Sequence, residues 1–163
     1  MHESVLKYVS EKISQRQLQE RSILEVGSYN GYPKTVREMF KGNYVGVDMR
    51  EGSNVDMVCN AHNLIFDDET FDVVVSTEML EHDDKFWFSL SEMGRVLKSN
   101  GYLILTARGN GYPKHEHPSD YYRFMPASFE TLFSLADCKP LEIVEDPEVS
   151  GVFGIGIKRS KQI

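Results

Sequence analysis

Three short stretches of the chain carry residue types suited to holding a nucleoside. The first is Glu25-Val26-Gly27-Ser28-Tyr29-Asn30-Gly31. Gly27 and Gly31 permit a tight turn and a close backbone approach, and a helix expected from Pro33 would aim unpaired N–H groups at a carboxylate or phosphate. The second is Asp48, 23 residues past Glu25. A carboxylate at a strand end can accept both hydroxyls of a ribose. The third is Asn60-Ala61-His62, where a backbone amide and a side-chain amide could read an adenine edge. Alone, the glycines also fit an ordinary strand-to-helix turn and Asp48 a solvated strand terminus.

A second group of residues suits proton transfer and substrate binding. Glu81-His82 is one part, and the polar stretch 108–125 is the other. His117 and Asp120 fit a base with its orienting partner, or a pair that pins the loop. Arg123 fits a clamp for an anionic group, or a partner for Asp120. His82 serves as a base, or orients a loop or caps the next helix. His115-Glu116-His117 offers adjacent metal ligands, but no third ligand is evident in the sequence, so no metal site is expected.

The elements that must position these groups alternate. Apolar spacing predicts a helix over 4–20, then strands at 22–26, 44–48, 55–59 and 71–76. Asp83 or Asp84 caps a helix carrying Phe86, Leu90, Met93 and Leu97, stopped by Asn100-Gly101. A fifth strand follows at 102–107, and Pro126 opens a short helix. Strands at 141–144 and 152–157 have no helix between them, so they form an antiparallel hairpin. The fold class is therefore α/β, a Rossmann-like doubly wound seven-stranded sheet, mostly parallel, ending in that hairpin. At 163 residues, residues 1–163 are read as a single domain, with 1–20 and 108–125 supplying cover for a shallow acceptor site.

Composition narrows the partners. A net charge of −7 lacks the basic footprint of a nucleic-acid or anionic-membrane binder. Hydrophobic residues at 40% and charged residues at 26% are those of a folded soluble chain, without a membrane span or signal peptide. Cys59 and Cys138 are read as reduced thiols of a cytoplasmic protein. A small molecule or a protein is the expected partner, and a homo-oligomer that completes the site is compatible.

Six stretches together resemble the class I S-adenosylmethionine (SAM)-dependent methyltransferases, most closely the type 11 small-molecule branch. They are Ile23-Leu24-Glu25-Val26-Gly27, Val45-Gly46-Val47-Asp48, Asn60-Ala61-His62-Asn63-Leu64, Phe71-Asp72-Val73-Val74, Glu78-Met79-Leu80-Glu81-His82 and Arg95-Val96-Leu97-Lys98. The resemblance covers residues 20 to 135. It implies SAM as cofactor, with Glu25, Gly27 and the loop Ser28, Tyr29, Asn30 and Gly31 around its methionine end. Asp48 would hold the ribose and Met49 pack on the adenine. Asn60, Ala61 and His62 would meet the adenine edge, and Glu78 would lie along the cofactor. Tyr29 stands where the family usually has a third glycine, and Asn60 where it usually has Asp.

The same resemblance implies in-line transfer of a methyl group to a small-molecule or glycan-type acceptor. His82, His117 and Asp120 are then candidate catalytic residues, and Tyr121, Tyr122 and Arg123 candidate substrate contacts. Two other readings stand beside it: a SAM-binding module without catalysis, and an NAD-dependent Rossmann enzyme. Against the latter, Gly27 to Gly31 is not GxGxxG.

Overall fold

The computed structural model describes residues 2–160. Helix α1 (Glu3–Gln15) precedes β1 (Ile23–Val26), β2 (Tyr44–Asp48), β3 (Met57–Val58) and β4 (Phe71–Thr77). Helix α2 (Phe86–Val96), β5 (Leu97–Arg108), α3 (Pro126–Leu135), β6 (Cys138–Glu145) and β7 (Gly151–Lys158) complete the chain. One seven-stranded sheet has the order β3-β2-β1-β4-β5-β7-β6. β7 runs antiparallel to both β5 and β6, and the other pairings are parallel. The expected fold class and C-terminal hairpin are as observed.

Alternation along the strands decides which helix covers which face. Ile23, Val73, Val75, Ile104, Phe153 and Ile155 point to one face, where Val5, Val9 and Ile13 of α1 bury their stripe. Leu24, Val26, Val74, Leu103 and Leu105 point to the other, under Leu90, Met93 and Val96 of α2 and Phe129, Leu132 and Phe133 of α3. Register is strict: Ile23 pairs with both Tyr44 and Val73, so β1, β2 and β4 run level to the same carboxyl edge. Among the described residues, no helix is long and apolar enough to cross a membrane.

Several elements differ from their expected bounds. α1 stops at Gln15 because Gln17 takes a left-handed φ of 54° and the Leu18 N–H returns to the Ile13 carbonyl, a common helix-ending motif. The helix expected from Pro33 is reduced to a single 3-10 turn, Val36–Met39. Asn30 explains this: its side chain accepts from the Tyr32 N–H and donates to the Lys34 carbonyl, offering the backbone a turn in place of helical bonds. No helix N-terminus therefore lies behind the glycine loop. Asn100-Gly101 does not stop α2. The helix ends at Val96, the chain passes directly into β5, and Asn100 takes φ 62° where the pairing register shifts. β3 is shorter than expected, and β6 and β7 are longer.

The segment after β3 is clamped onto α2. Arg95 donates to the Leu64 and Phe66 carbonyls and pairs with Glu92 and Asp68, while Glu92 accepts the Leu64 N–H. Arg95→Met keeps the aliphatic stem but removes these charge-assisted bonds. It is expected to destabilise the fold by about 1–3 kcal/mol in denaturant titration and to speed amide exchange at Leu64.

Candidate functional site

The carboxyl edge of β1, β2 and β3 brings the three nucleoside-type stretches together. Val26 pairs with Val47, and Asp48 with Val58, so residues 27–31, 48–49 and 59–62 leave the sheet side by side. Gly27 has φ 81°, and a Cβ there would lie 2.5 Å from the Met79 side chain. Only glycine fits, and the chain passes close over the β4 tip. Asp48 is held ready at its strand end: one carboxylate oxygen accepts the Tyr29 N–H at 3.2 Å and the other the Arg50 N–H at 3.1 Å. Met49 beside it is 67% exposed, an uncovered apolar surface next to that carboxylate.

Tyr29 lies on Gly52, where a Cβ would come within 2.3 Å of its ring, and the Arg50 guanidinium stacks over it at 4.5 Å. The ring packs onto the 50–53 turn, and Arg50 Nε lies 3.9 Å from the Asp48 carboxylate. Asn30 N–H and Asn54 Nδ2 add bonds to Ser53 and Ser28 that fix the glycine loop to the same turn. Ser28 is buried. Asn60 Oδ1 accepts the His62 N–H at 2.9 Å, shaping the turn after β3. His62 points to Asp83 at 2.7 Å, so its ring braces the β4–α2 connection. Ala61 packs on the core under α2.

Glu25 behaves differently from the expectation. Its carboxylate is 1% exposed and accepts from the Tyr44 hydroxyl and Asn54 Nδ2. It supports the glycine loop from beneath, through Asn54. Burial pushes its pKa up to about 8, against the opposing bond from Asn54.

The β4 and β5 tips form the second half of the edge. Arg108 is fully buried between two carboxylates, with Nε 2.8 Å from Glu78 and Nη1 3.4 Å from Asp146. Glu78 takes φ 56° to make this contact, and burial raises its pKa, partly offset by Arg108. Asp146 also accepts the Ser4 hydroxyl, and His2 bonds Tyr112. His2, just before α1, therefore touches the 108–125 loop, and Ser4 of α1 touches the β6–β7 turn.

That loop folds over Glu81 and His82. The Tyr121 and Tyr122 N–H groups bond the Glu81 carbonyl, and the Tyr122 hydroxyl bonds the Asp84 carbonyl. Asp120 is paired with Arg123 through both oxygens and accepts the His115 N–H at 2.7 Å. Those bonds hold its carboxyl well below the usual range. The expected His117–Asp120 pair does not form among the described residues: Asp120 pins the loop, and Arg123 is occupied by Asp120 and the loop carbonyls of Tyr112 and Pro113. His82 donates from Nδ1 to the Ser119 carbonyl. The His82, His115 and His117 rings meet edge to face, with centroids 4.7–5.9 Å apart. Tyr121 is exposed.

Two groups here escaped the sequence reading. Arg108 and Asp146 stood at the margins of apolar strands, and a charge ending such a run was the available signal. Glu81 was named beside His82, but nothing in a linear sequence marks it as fully buried with no side-chain partner.

The sequence profile of the methyltransferase domain family matches residues 24–105, which is the span that builds this edge. The chain belongs to the class I SAM-dependent methyltransferase family. A methyltransferase of phthiotriol/phenolphthiotriol dimycocerosates from Mycobacterium ulcerans is 32% identical over 104 residues, covering 55% of this chain and 38% of that protein. The match thus spans well under half of that relative's length. The fold is shared with 1,6-didemethyltoxoflavin-N1-methyltransferase from Burkholderia thailandensis, whose crystal structure holds 1,6-didemethyltoxoflavin and S-adenosylhomocysteine (TM-score 0.76, 16% identity, 96% of this chain and 79% of that one). A SAM-dependent methyltransferase from Aquifex aeolicus is also similar (TM-score 0.69, 15% identity, 91% and 88%).

For a methyltransferase, the donor set fits the nucleoside of SAM. Asp48 would supply acceptors for ribose hydroxyls, Gly27 a backbone approach that a Cβ would block, and Met49 an apolar face. The NAD reading gives way to the family.

Two buried carboxyls contribute most directly to the pH response, against a smaller opposing contribution from His82 and His115, whose pKa values burial lowers. Burial pushes both Glu25 and Glu81 up to about 8, from an ordinary 4.5. Between those values the folded chain binds more protons than the unfolded one, so stability falls as pH rises. Urea midpoints measured from pH 5 to 8 are expected to decline, and Glu25→Gln to flatten part of that decline.

Proposed function

We propose that the chain transfers a methyl group from SAM to a small-molecule acceptor, with the adenosine held by Gly27, Asp48, Met49 and the Asn60–Ala61 turn. The observation that carries this reading is the convergence of those residues on one sheet edge, each with an exposed or reachable group. When bound, SAM supplies an electrophilic methyl on a sulfonium, which a nucleophile takes by in-line displacement. The chain's own task is then positional. Asp48 anchors the ribose, the glycine loop admits the backbone, and Glu25 holds that loop through Asn54.

The acceptor enters beside the 108–125 loop. The net charge of −7 argues against a polyanionic acceptor. The Burkholderia relative of the same fold acts on a small heterocycle, which supports the small-molecule reading. His117 is the exposed imidazole of the three-ring group and is placed to accept a proton from an oxygen or nitrogen nucleophile. A cofactor-binding module without transfer is the second reading. The observation favouring it is the Asn60 carbonyl, already engaged by its own turn.

Calorimetry tests the cofactor site directly. S-adenosylhomocysteine is expected to bind with micromolar affinity and NAD to give no heat. Asp48→Ala should weaken the former by about 1–3 kcal/mol, or about 5- to 150-fold; an unchanged affinity removes Asp48 from the site. Once an acceptor is found by screening a metabolite panel for S-adenosylhomocysteine release, His117→Ala is expected to lower kcat by about 100-fold or more with cofactor affinity unchanged. A panel that yields no turnover supports the module reading.

A further inference from the structure

Glu81 is the most anomalous polar group in the molecule. Its side chain is fully buried, no side chain donates to either carboxylate oxygen, and the Glu81 and Arg108 backbone N–H groups offset only part of the cost of burial. A buried acid without a side-chain partner is costly, so a fold that retains one at this edge points to something that satisfies it. Ligand atoms of Glu81, His82 and His115 all lie within 4.8 Å of one another. We propose that Glu81, His82 and His115 form a binding site for a divalent first-row transition cation, zinc being the best match to two imidazoles and one carboxylate.

Three features beyond proximity support this. First, a carbonyl only accepts, so the His82 bond to Ser119 places the proton on Nδ1 and leaves the Nε2 lone pair free. Metal-bound histidines are oriented in this way. Second, Asp120 Oδ2 lies 3.5 Å from His115 Nδ1 and 2.7 Å from its backbone nitrogen. At 3.5 Å this is an ion-pair approach and not a hydrogen bond, and His115 Nδ1 is buried without a hydrogen-bond partner, so it is a second unsatisfied group at the same place. Third, the loop that carries His115 is pinned to the Glu81 carbonyl by the Tyr121 N–H, so the ligands from two segments are held in register. Zinc bonds of about 2.0–2.1 Å imply ligand separations of about 3.3 Å in a tetrahedron, so the three side chains draw inward by about 1.5 Å at most.

Another acidic and histidine group, His62, Asp83 and Asp84, is less suited. Asp83 already accepts from the Lys85 N–H, the Ser89 hydroxyl and His62. At the proposed site, three protein ligands leave a coordination position open, beside His117. An oxygen of the acceptor would occupy it and become more acidic. That role rests on the methyl-transfer reading, whereas cation binding does not.

The test uses the full chain stripped with chelator, titrated with Zn²⁺ by calorimetry and with Co²⁺ by visible absorption. One equivalent is expected to bind, with ligand-field bands of low-coordinate Co²⁺. Loss of a supporting group typically weakens metal binding 10- to 100-fold, so loss of a ligand, in Glu81→Gln or His115→Ala, should exceed about 100-fold. Glu116→Gln should change nothing, because Glu116 is exposed and paired with Lys114. Circular dichroism of each variant separates unfolding from ligand loss. No binding by the wild type, or equal binding by folded Glu81→Gln and His115→Ala, overturns the proposal. S-adenosylhomocysteine titrated into the same stripped protein reads the nucleoside site separately, so failure there counts against methyl transfer and leaves the cation site standing.

Discussion

A guanidinium with no exposure must be surrounded by counter-charges, because desolvating it without them costs several kcal/mol. Arg108 imposes that requirement on the whole carboxyl edge. It draws Glu78 at the tip of β4 into a left-handed backbone and holds Asp146 from the turn between β6 and β7. Asp146 in turn takes the Ser4 hydroxyl of α1, and the Arg108 carbonyl takes the Phe124 N–H where the long loop returns. The Arg108 side chain thus joins two segments directly and a third through Asp146, and its main chain holds a fourth.

The two halves of the edge are built on different physics. The nucleoside half uses backbone and short side chains: a glycine that admits no Cβ, strand-end Asp48, and turns closed by Asn30 and Asn60. Their polar groups are turned outward or into local bonds. The acceptor half buries its ionisable groups. Burial lowers the pKa of His82 and, reinforced by His82, that of His115, so these imidazoles are neutral donors of electron pairs. Groups left unsatisfied at such a place are what function, rather than stability, would select.

Much of this was legible in the residues. Alternating Ile23-Leu24 and Val73-Val74-Val75 dictated a sheet covered on both faces, and the absence of helical spacing between 145 and 151 dictated the closing hairpin. The convergence of Gly27 and Asp48 at one carboxyl edge followed from their place at the ends of neighbouring parallel strands. What failed was local competition that propensity does not capture. Asn30 replaced the expected helix after the glycine loop with its own turn, and Asn100 joined the strand instead of stopping the helix. Partner choice was also illegible: Asp120 had His115, His117 and Arg123 all within reach along the chain, and only the loop's path selects Arg123. The solitary carboxylate of Glu81 is a property of three-dimensional packing, with no linear signature.

The central claim is that residues 27–31, 48–50 and 59–62 act together as the floor of a cofactor site. Hydrogen–deuterium exchange with and without S-adenosylhomocysteine addresses it without an acceptor. The account predicts that amides in those three segments slow together on ligand addition, while the β6–β7 hairpin stays unchanged. Protection confined to other regions, or none at saturating ligand, would contradict it.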